Sequence, residues 1–391
     1  MKIVFWIALF IVFYTYIGYG ILLYIIIRLK RLFVGRPHEA VLPADEELPT
    51  MTLMICAYNE EDIVKEKMAN TLALDYPKDK FRIMWVTDGS NDHTNELLAA
   101  YPEVDIVFSP ERRGKTAALK HGLRELKTRY VAFTDANTMI NTGALREIAR
   151  LFSDPTVGCV SGEKRVAARK AGEMASEGEG LYWRYESTLK RWDSELYSAM
   201  GAAGELYAID PQLCREVPDE ALLDDFMLSM YVVQAGKRIA YTSDAYAREY
   251  GSANIYEESK RKRRIAAGGL QSIWWLRSML NPLRQPLVTF QYVSHRVLRW
   301  SITPVAMVLL LLVNIALVAM GAGTFYTVML ILQTLFYLMA LAGWLTNRFG
   351  YKNKLLYTAY YFVFMNFNVF RGMAYLRSHG KSGAWEKAKR S

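Results

Sequence analysis

The chain reads as an α/β protein, with a mostly parallel sheet in a soluble middle region and membrane helices at either end. Three observations lead there. Short apolar runs alternate with helix-like stretches from Thr52 to Ser161, the βαβα rhythm of a sheet covered on both faces. Two of those runs close on a carboxylate, Asp88 and Asp135. Long apolar runs without charge stand at both ends of the chain.

The first such run is Ile3 to Ile27. It exceeds the roughly 20 residues needed to cross a bilayer, is too long for a signal-peptide core, and has no small-residue cleavage site after it. Arg28, Lys30, Arg31 and Arg36 follow it, so the positive-inside rule puts the middle of the chain in the cytosol. Ile302 to Met320 and Phe325 to Leu345 are two further spans. Arg348, Lys352 and Lys354 after the third suit the inside. Leu355 to Tyr375 is aromatic-rich and carries Asn366, Asn368 and Arg371. A crossing there would export Lys381, Lys387, Lys389 and Arg390, so a surface-lying or re-entrant helix is weighed equally with a span.

Between the spans, residues 37–50 hold three prolines and read as a linker. Strands are expected at Thr52–Ala57, Arg82–Thr87, Asp105–Phe108, Tyr130–Thr134 and Val157–Ser161. Helices are expected at Thr116–Leu126, Gly143–Phe152, Gly178–Glu195 and Ala221–Ala235. Arg261 to Leu276 turns from very basic to apolar with two tryptophans, the pattern of a helix lying on a membrane face.

The 391 residues suffice for one large domain with accessory elements, and 52% hydrophobic content is high for a purely soluble enzyme. The net charge of +9 calls for an anionic partner. Phospholipid, a nucleotide sugar and nucleic acid are the candidates, and basic clusters beside membrane segments favour lipid over nucleic acid. The three cysteines, Cys56, Cys159 and Cys214, have no metal-ligand spacing and read as reduced structural thiols. The five histidines show no ligand spacing either.

Ligands of open parallel sheets bind outside the carboxyl ends of the strands, where Asn59, Asp88 and Asp135 all fall. Each motif also has a plainer reading. Asp88-Gly89-Ser90-Asn91-Asp92 is equally a capped turn. Asp135-Ala136-Asn137 is either a turn or a pair of oxygen ligands for a divalent cation. Arg112-Arg113-Gly114-Lys115 is either a solvated charge run or a phosphate site at a helix start. Asp224-Asp225 is either a helix cap or a carboxylate pair in which one member is a raised-pKa base. Arg261 to Arg264 meets either a pyrophosphate or lipid headgroups.

In order, these motifs resemble the membrane-integrated family 2 glycosyltransferases, the group of the cellulose, chitin, hyaluronan and poly-N-acetylglucosamine synthases. The resemblance rests on Ala57 to Glu60, Val86 to Thr94, Arg113 to Leu119, Thr134 to Asn137, Asp224 to Ser229 and Arg261 to Gly268. It implies an N-terminal membrane helix (1–36), a cytosolic GT-A domain (37–260), basic and interfacial helices (261–300) and a C-terminal membrane region (301–391). The location implied is the inner (plasma) membrane. By matched position, Asp88 would read the uracil of a UDP-sugar, with Asn59 and Glu60 near the nucleoside and Lys115 near the donor. Asp135 would meet the ribose and diphosphate and, with Asn137, hold Mg²⁺ or Mn²⁺. Arg263 and Arg264 would face the diphosphate, and Asp225 would deprotonate the acceptor, a glycan or lipid-linked hydroxyl. Trp183, Gly204 and Glu205 would line the acceptor.

Two positions depart from the family pattern. Asn137 replaces its second metal-binding aspartate, and Ile265 stands where processive synthases carry an aromatic ring. Processive synthesis and addition of one or a few sugars therefore both stay open. A catalytically inactive, nucleotide-binding subunit of a synthase complex is the alternative function.

Overall fold

A computed structural model describes residues 1–35, 40–167, 174–250, 255–349, 351 and 353–379. Arg36, Lys352, Lys381, Lys387, Lys389, Arg390 and the start of the 37–50 linker lie outside the described residues.

The N-terminal run forms one helix over Lys2–Val34, made of α1 (Lys2–Phe13), a π-helical turn (Tyr14–Gly18) and α2 (Tyr19–Val34). Next come β1 (Met51–Ala57), α3 (Glu61–Leu72), β2 (Phe81–Asp88), α4 (Thr94–Ala99), β3 (Val104–Ser109), α5 (Lys115–Arg124) and β4 (Tyr130–Asp135). β5 (Met139–Ile140), α6 (Ala144–Phe152), β6 (Val157–Ala167), α7 (Met174–Leu196) and β7 (Leu206–Ile209) follow, then α8 (Asp224–Gln234), β8 (Arg238–Tyr250) and α9 (Ile255–Trp275). A continuous helix over Pro286–Ala319 contains α10 (Pro286–Tyr292), a π-helical stretch (Val293–Ile302) and α11 (Thr303–Ala319). The chain then forms α12 (Thr324–Arg348) and α13 (Lys354–His379).

One eight-stranded sheet runs β3-β2-β1-β4-β7-β6-β8-β5. Its β3-β2-β1-β4 half is parallel, and the apolar run of β1 is buried almost throughout because helices cover both faces. The other half is mixed: β7 is antiparallel to β4 and β6, β6 and β8 run parallel, and β5 is antiparallel to β8. The sheet is thus a mixed one, more so than the sequence rhythm foretold. α6 shows how the layers form. Ala144, Leu145, Ile148, Ala149 and Phe152 make one buried stripe at helical spacing, pressed on β6 and β8.

Among the described residues three helices, Lys2–Val34, Pro286–Ala319 and Thr324–Arg348, are long and apolar enough to cross a membrane. Phe5 and Ala8 of the first pack on Ala306 and Leu310 of the second. The two π-helical stretches meet, with Tyr14 Oη 2.8 Å from Ser294 Oγ and Thr15 Oγ1 2.8 Å from Thr303 Oγ1. π-helical segments widen a helix locally and recur at functional sites.

α13 lies against both α12 and α9, and small residues allow the approach. A Cβ on Gly343 would fall 2.1 Å from the Leu356 carbonyl oxygen, a backbone atom that no rotamer can move. Gly343→Ala should therefore lower stability by about 1–3 kcal/mol, the usual cost of overpacking. Thermal unfolding of the detergent-solubilised chain would register this as a lower Tm, and an unchanged Tm would show that α12 and α13 are not held this closely.

Candidate active site

The carboxyl ends of β1 and β2 carry loops that clamp each other. Asn59, at φ 52°, takes the left-handed conformation that Asn tolerates better than most residues. Its Nδ2 donates to Asn91 Oδ1 at 2.7 Å, and the Asn91 amide donates back to Asn59 Oδ1 at 3.0 Å. The backbone amides of Glu60 and Glu61 donate to Thr94 Oγ1 (2.9 Å) and Asp92 Oδ2 (3.1 Å). Arg112 stacks on the Tyr58 ring, 3.9 Å from its centroid.

Asp88 has a definite structural task. Its two carboxylate oxygens accept from the backbone N–H groups of Arg113 (2.9 Å) and Gly114 (2.6 Å). It thereby fixes the loop that starts α5 and sets the direction of Lys115. The Lys115 ammonium donates to Asp135 Oδ1 at 2.6 Å. Burial pushes the Lys115 pKa down, but the charges of Asp135, Asp224 and Asp225 outweigh it and leave it raised.

Beneath the Asp135-Ala136-Asn137 turn lies Lys67, fully buried. Its Nζ donates to the Thr138 carbonyl at 2.5 Å and to Thr134 Oγ1 at 3.2 Å, and burial lowers its pKa to about 7. A lysine within the buried Val64-Met68-Thr71 stripe of α3 was the available signal for it, and sequence reasoning passed over it.

Asp224 and Asp225 begin α8. Burial, then the neighbouring Asp224 charge, raises the Asp225 carboxyl to about 6. Gly204 stands against it: a Cβ there would lie 2.8 Å from Asp225 Oδ2, so only glycine leaves the carboxylate its space. Ser229 Oγ accepts from the Ala202 amide and donates to the Asp225 carbonyl, joining the 201–205 loop to α8.

Glu205 is buried between cations. Its Oε1 lies 2.6 Å from Lys164 Nζ and 3.5 Å from Arg261, and these charges overcome the effect of burial and hold the carboxyl below its usual range. Lys164 also pairs with Glu249, and Lys262 with Glu258 at 3.3 Å. Arg261 and Lys262, expected at a pyrophosphate or at lipid headgroups, are buried in ion pairs and also line the cavity that holds Asp225.

One cavity of about 440 Å³ gathers most of these groups. Lys115, Asp135, Trp183, Gly204, Glu205, Asp225 and Arg264 all line it. Arg264 loses basicity through burial, and the carboxylates of Asp224, Asp225 and Asp135 act on it from the same space. Arg263 is not among the lining residues and sits 5.5 Å over the Tyr375 ring instead. Asn59, Glu60, Asp88 and Asn137 stand outside the lining, in the loops at the strand ends. Ile265 lines the cavity, as do Tyr16, Trp300 and α13 residues such as Phe362 and Met365.

Among the described residues no three His, Cys, Asp or Glu side chains converge on a metal site. Asp135 and Asn137 would offer a carboxylate and an amide oxygen, a set that fits Mg²⁺ or Mn²⁺ completed by water and phosphate oxygens.

Residues 52–209 match the model of glycosyl transferase family 2. Over that segment the chain is similar to the family 2 glycosyltransferases. A poly-beta-1,6-N-acetyl-D-glucosamine synthase of Staphylococcus aureus (strain MSSA476) is 35% identical over 125 residues, 31% of this chain and 30% of that protein. A beta-monoglucosyldiacylglycerol synthase of Synechocystis sp. is 25% identical over 259 residues, 62% of this chain and 53% of that one. These matches span from under a third to about half of the relatives' length. A mannosyltransferase from Pyrobaculum calidifontis, solved in complex with GDP-Man and Mn²⁺, shares the fold at TM-score 0.69 and 21% identity, over 97% of this chain and 100% of that one. The region that matches the family model therefore has a GT-A-like architecture, with apolar helices before and after it.

Asp88→Asn should show what the carboxylate does. An amide presents one oxygen and one N–H₂ to two backbone donors, so one contact becomes donor against donor. The expected loss is about 1–3 kcal/mol of stability, together with weaker protection by UDP in thermal unfolding. Unchanged stability would mean that the 111–114 loop is held by other contacts.

Proposed function

We propose that this chain is an inverting glycosyltransferase that moves a hexosyl or N-acetylhexosaminyl group from a UDP-sugar to a hydroxyl of a glycan or lipid-linked acceptor at the cytosolic face of the inner membrane. The observation that carries the reading is Asp225. It shares a cavity with Lys115, Asp135 and Arg264, and its carboxyl is poised at about 6. Such a value lets it stay ionised at neutral pH while retaining proton affinity above that of an ordinary aspartate. The cations Arg28, Lys30 and Arg31 near the C-terminal end of the first apolar helix support the cytosolic assignment.

The donor end is built from Asp135, Lys115 and Arg264. Arg264 takes the diphosphate as a cation already stripped of much of its water. Lys115 exchanges part of its contact with Asp135 for a phosphate oxygen. A Mg²⁺ or Mn²⁺ held through Asp135 and Asn137 would neutralise charge on the diphosphate as it departs. Asp88, Asn59 and Glu60 place the nucleoside through the loops they fix. At the acceptor end Asp225 accepts the hydroxyl proton, and the oxygen attacks C1 from the face opposite UDP. Gly204 leaves room for that hydroxyl, while Trp183 and Glu205 form the wall beside it. A cavity of about 440 Å³ with Ile265 in its wall supports addition of one or a few sugars over passage of a long polymer. The polysaccharide and glycolipid synthases among its relatives support both acceptor classes.

Asn137, a neutral ligand, favours one second reading, a nucleotide-binding subunit without turnover. UDP release from a panel of UDP-sugars in purified membranes, with and without Mn²⁺, separates the two, and release with none of the sugars would favour the inactive subunit.

Asp225→Asn should lower turnover by about 10²–10⁴-fold while UDP still protects the protein against unfolding. Near-normal activity would remove Asp225 from the role of base. The pH profile follows from the same residue. The base form is the ionised one, so activity should fall about tenfold per pH unit below about 6 and level off above it. Asp224→Asn removes a neighbouring negative charge, which lowers the Asp225 pKa and should move that limb to lower pH.

A further inference from the structure

Lys190 is a buried lysine that the donor chemistry leaves unused. It is 4% exposed and lines the cavity beside Trp183, whose ring centroid is 6.0 Å from its Nζ. Among the described residues its ammonium has no hydrogen-bond acceptor and no ion pair. The other buried lysines are matched: Lys67 to the 134–138 turn, Lys164 to Glu205 and Glu249, Lys262 to Glu258.

The reason lies in its own helix. Glu186 stands one turn before Lys190, the i,i+4 spacing at which the two would normally pair. Glu186 is taken instead by the π-helical stretch: Arg296 at 2.7 Å, Arg299 at 2.8 Å and His295 at 3.3 Å. Arg296 also donates through Nε to the Met200 carbonyl at 2.7 Å, so it is fixed at the base of the 201–205 loop. Lys190 is left as surplus charge, and burial followed by repulsion from Arg296 lowers its pKa to about 8. A buried ammonium without a direct anionic partner destabilises a fold, so a ligand that supplies a contacting anion is its natural complement.

The surrounding walls indicate the rest of that ligand. Beyond Lys190 the cavity is lined by Tyr16 and Trp300, from two helices apolar enough to span a membrane, and by Phe362, Met365 and Val369 of α13. The same cavity holds Asp225. A molecule filling this space has an anion near Trp183, an apolar tail among membrane helices and a hydroxyl toward the base.

We propose that Lys190 forms an anion subsite for a phosphate-bearing membrane lipid, which is the acceptor of this enzyme. The proposal rests on the assignment of Asp225 as acceptor base. In the transfer, the lipid hydroxyl gives its proton to Asp225, its oxygen bonds to C1 of the sugar, and the C1–O bond to UDP breaks with the electron pair leaving on the diphosphate. Arg264 and Lys190 divide the work. Arg264 lies near Asp135, Asp224 and Asp225, and Lys190 near Glu186, Glu205 and Asp225, so that Asp225 stands within the field of both cations.

The test is the Tm of the full chain in neutral detergent with dihexanoyl phosphatidylglycerol, dihexanoylglycerol or glycerol 3-phosphate. Phosphatidylglycerol should raise the wild-type Tm by roughly 2 °C or more at saturation, and neither of the others should match it. Lys190→Met should lose that shift and Lys190→Arg should keep it. Lys190→Met without ligand should be as stable as wild type or more so, since it removes an unpaired buried charge, whereas a merely structural lysine would leave it less stable. An equal shift with dihexanoylglycerol, an equal shift with glycerol 3-phosphate, or a full lipid shift in Lys190→Met would each overturn the proposal. If UDP fails to stabilise the wild type while the lipid does, the donor assignment falls and the lipid subsite stands.

Discussion

The ion pair between Lys164 and Glu205 is the interaction on which the geometry of the site depends. Glu205 follows Gly204, the residue that leaves space for Asp225, and precedes β7. Its carbonyl accepts from Thr134 Oγ1 at 2.9 Å, next to the Asp135 turn. Its carboxylate meets Lys164 of β6 and Arg261 of α9. One residue thus joins the Asp135 turn, the 201–205 loop, the mixed half of the sheet and the helix that brings Arg264 into the cavity. Buried ion pairs add little net stability, because desolvation offsets attraction, yet loss of one partner costs about 3–5 kcal/mol. The cluster therefore fixes arrangement more than it adds stability.

The membrane side follows the same logic with a different balance. Glu186 is shared by three basic side chains of the π-helical stretch, which fastens α7 to the helix over Pro286–Ala319. His295 reaches Asp193 as well, and Asp193 accepts from Tyr19 of α2. The N-terminal helix, the catalytic domain and the second apolar helix are consequently tied by one buried polar network. An apolar seam of the same size would be at least as stable but would hold the 201–205 loop less definitely.

Much of this was legible in the sequence. The parallel strands were readable because β1, β2 and β4 are continuous apolar runs ending in turn-forming residues, and the spans because charge is absent over a bilayer's length. β7 was not, since Leu206–Ile209 is too short for periodicity to separate strand from helix. β8 alternates too irregularly, and its charged residues Arg238, Glu249 and Asp244 mask the pattern. Arg261 to Arg264 read as one basic patch. Helical geometry splits it, with Arg261, Lys262 and Arg264 lining the cavity, the first two of them held in ion pairs, and Arg263 against Tyr375. Glu205, which pairs with Arg261, lies 56 residues away, a separation no local pattern reveals. Lys190 was missed for a related reason: Glu186 four residues earlier makes it look like an ordinary surface pair.

The central claim is that donor and acceptor chemistry meet in one cavity with Asp225 on the acceptor side. The most direct measurement is an experimental structure of the full chain with UDP and Mn²⁺. The account predicts the diphosphate against Arg264 and Asp135, with the Asp225 carboxylate facing it across the empty sugar position. A diphosphate bound outside this cavity, or one that Asp225 approaches from the leaving-group side, would contradict it.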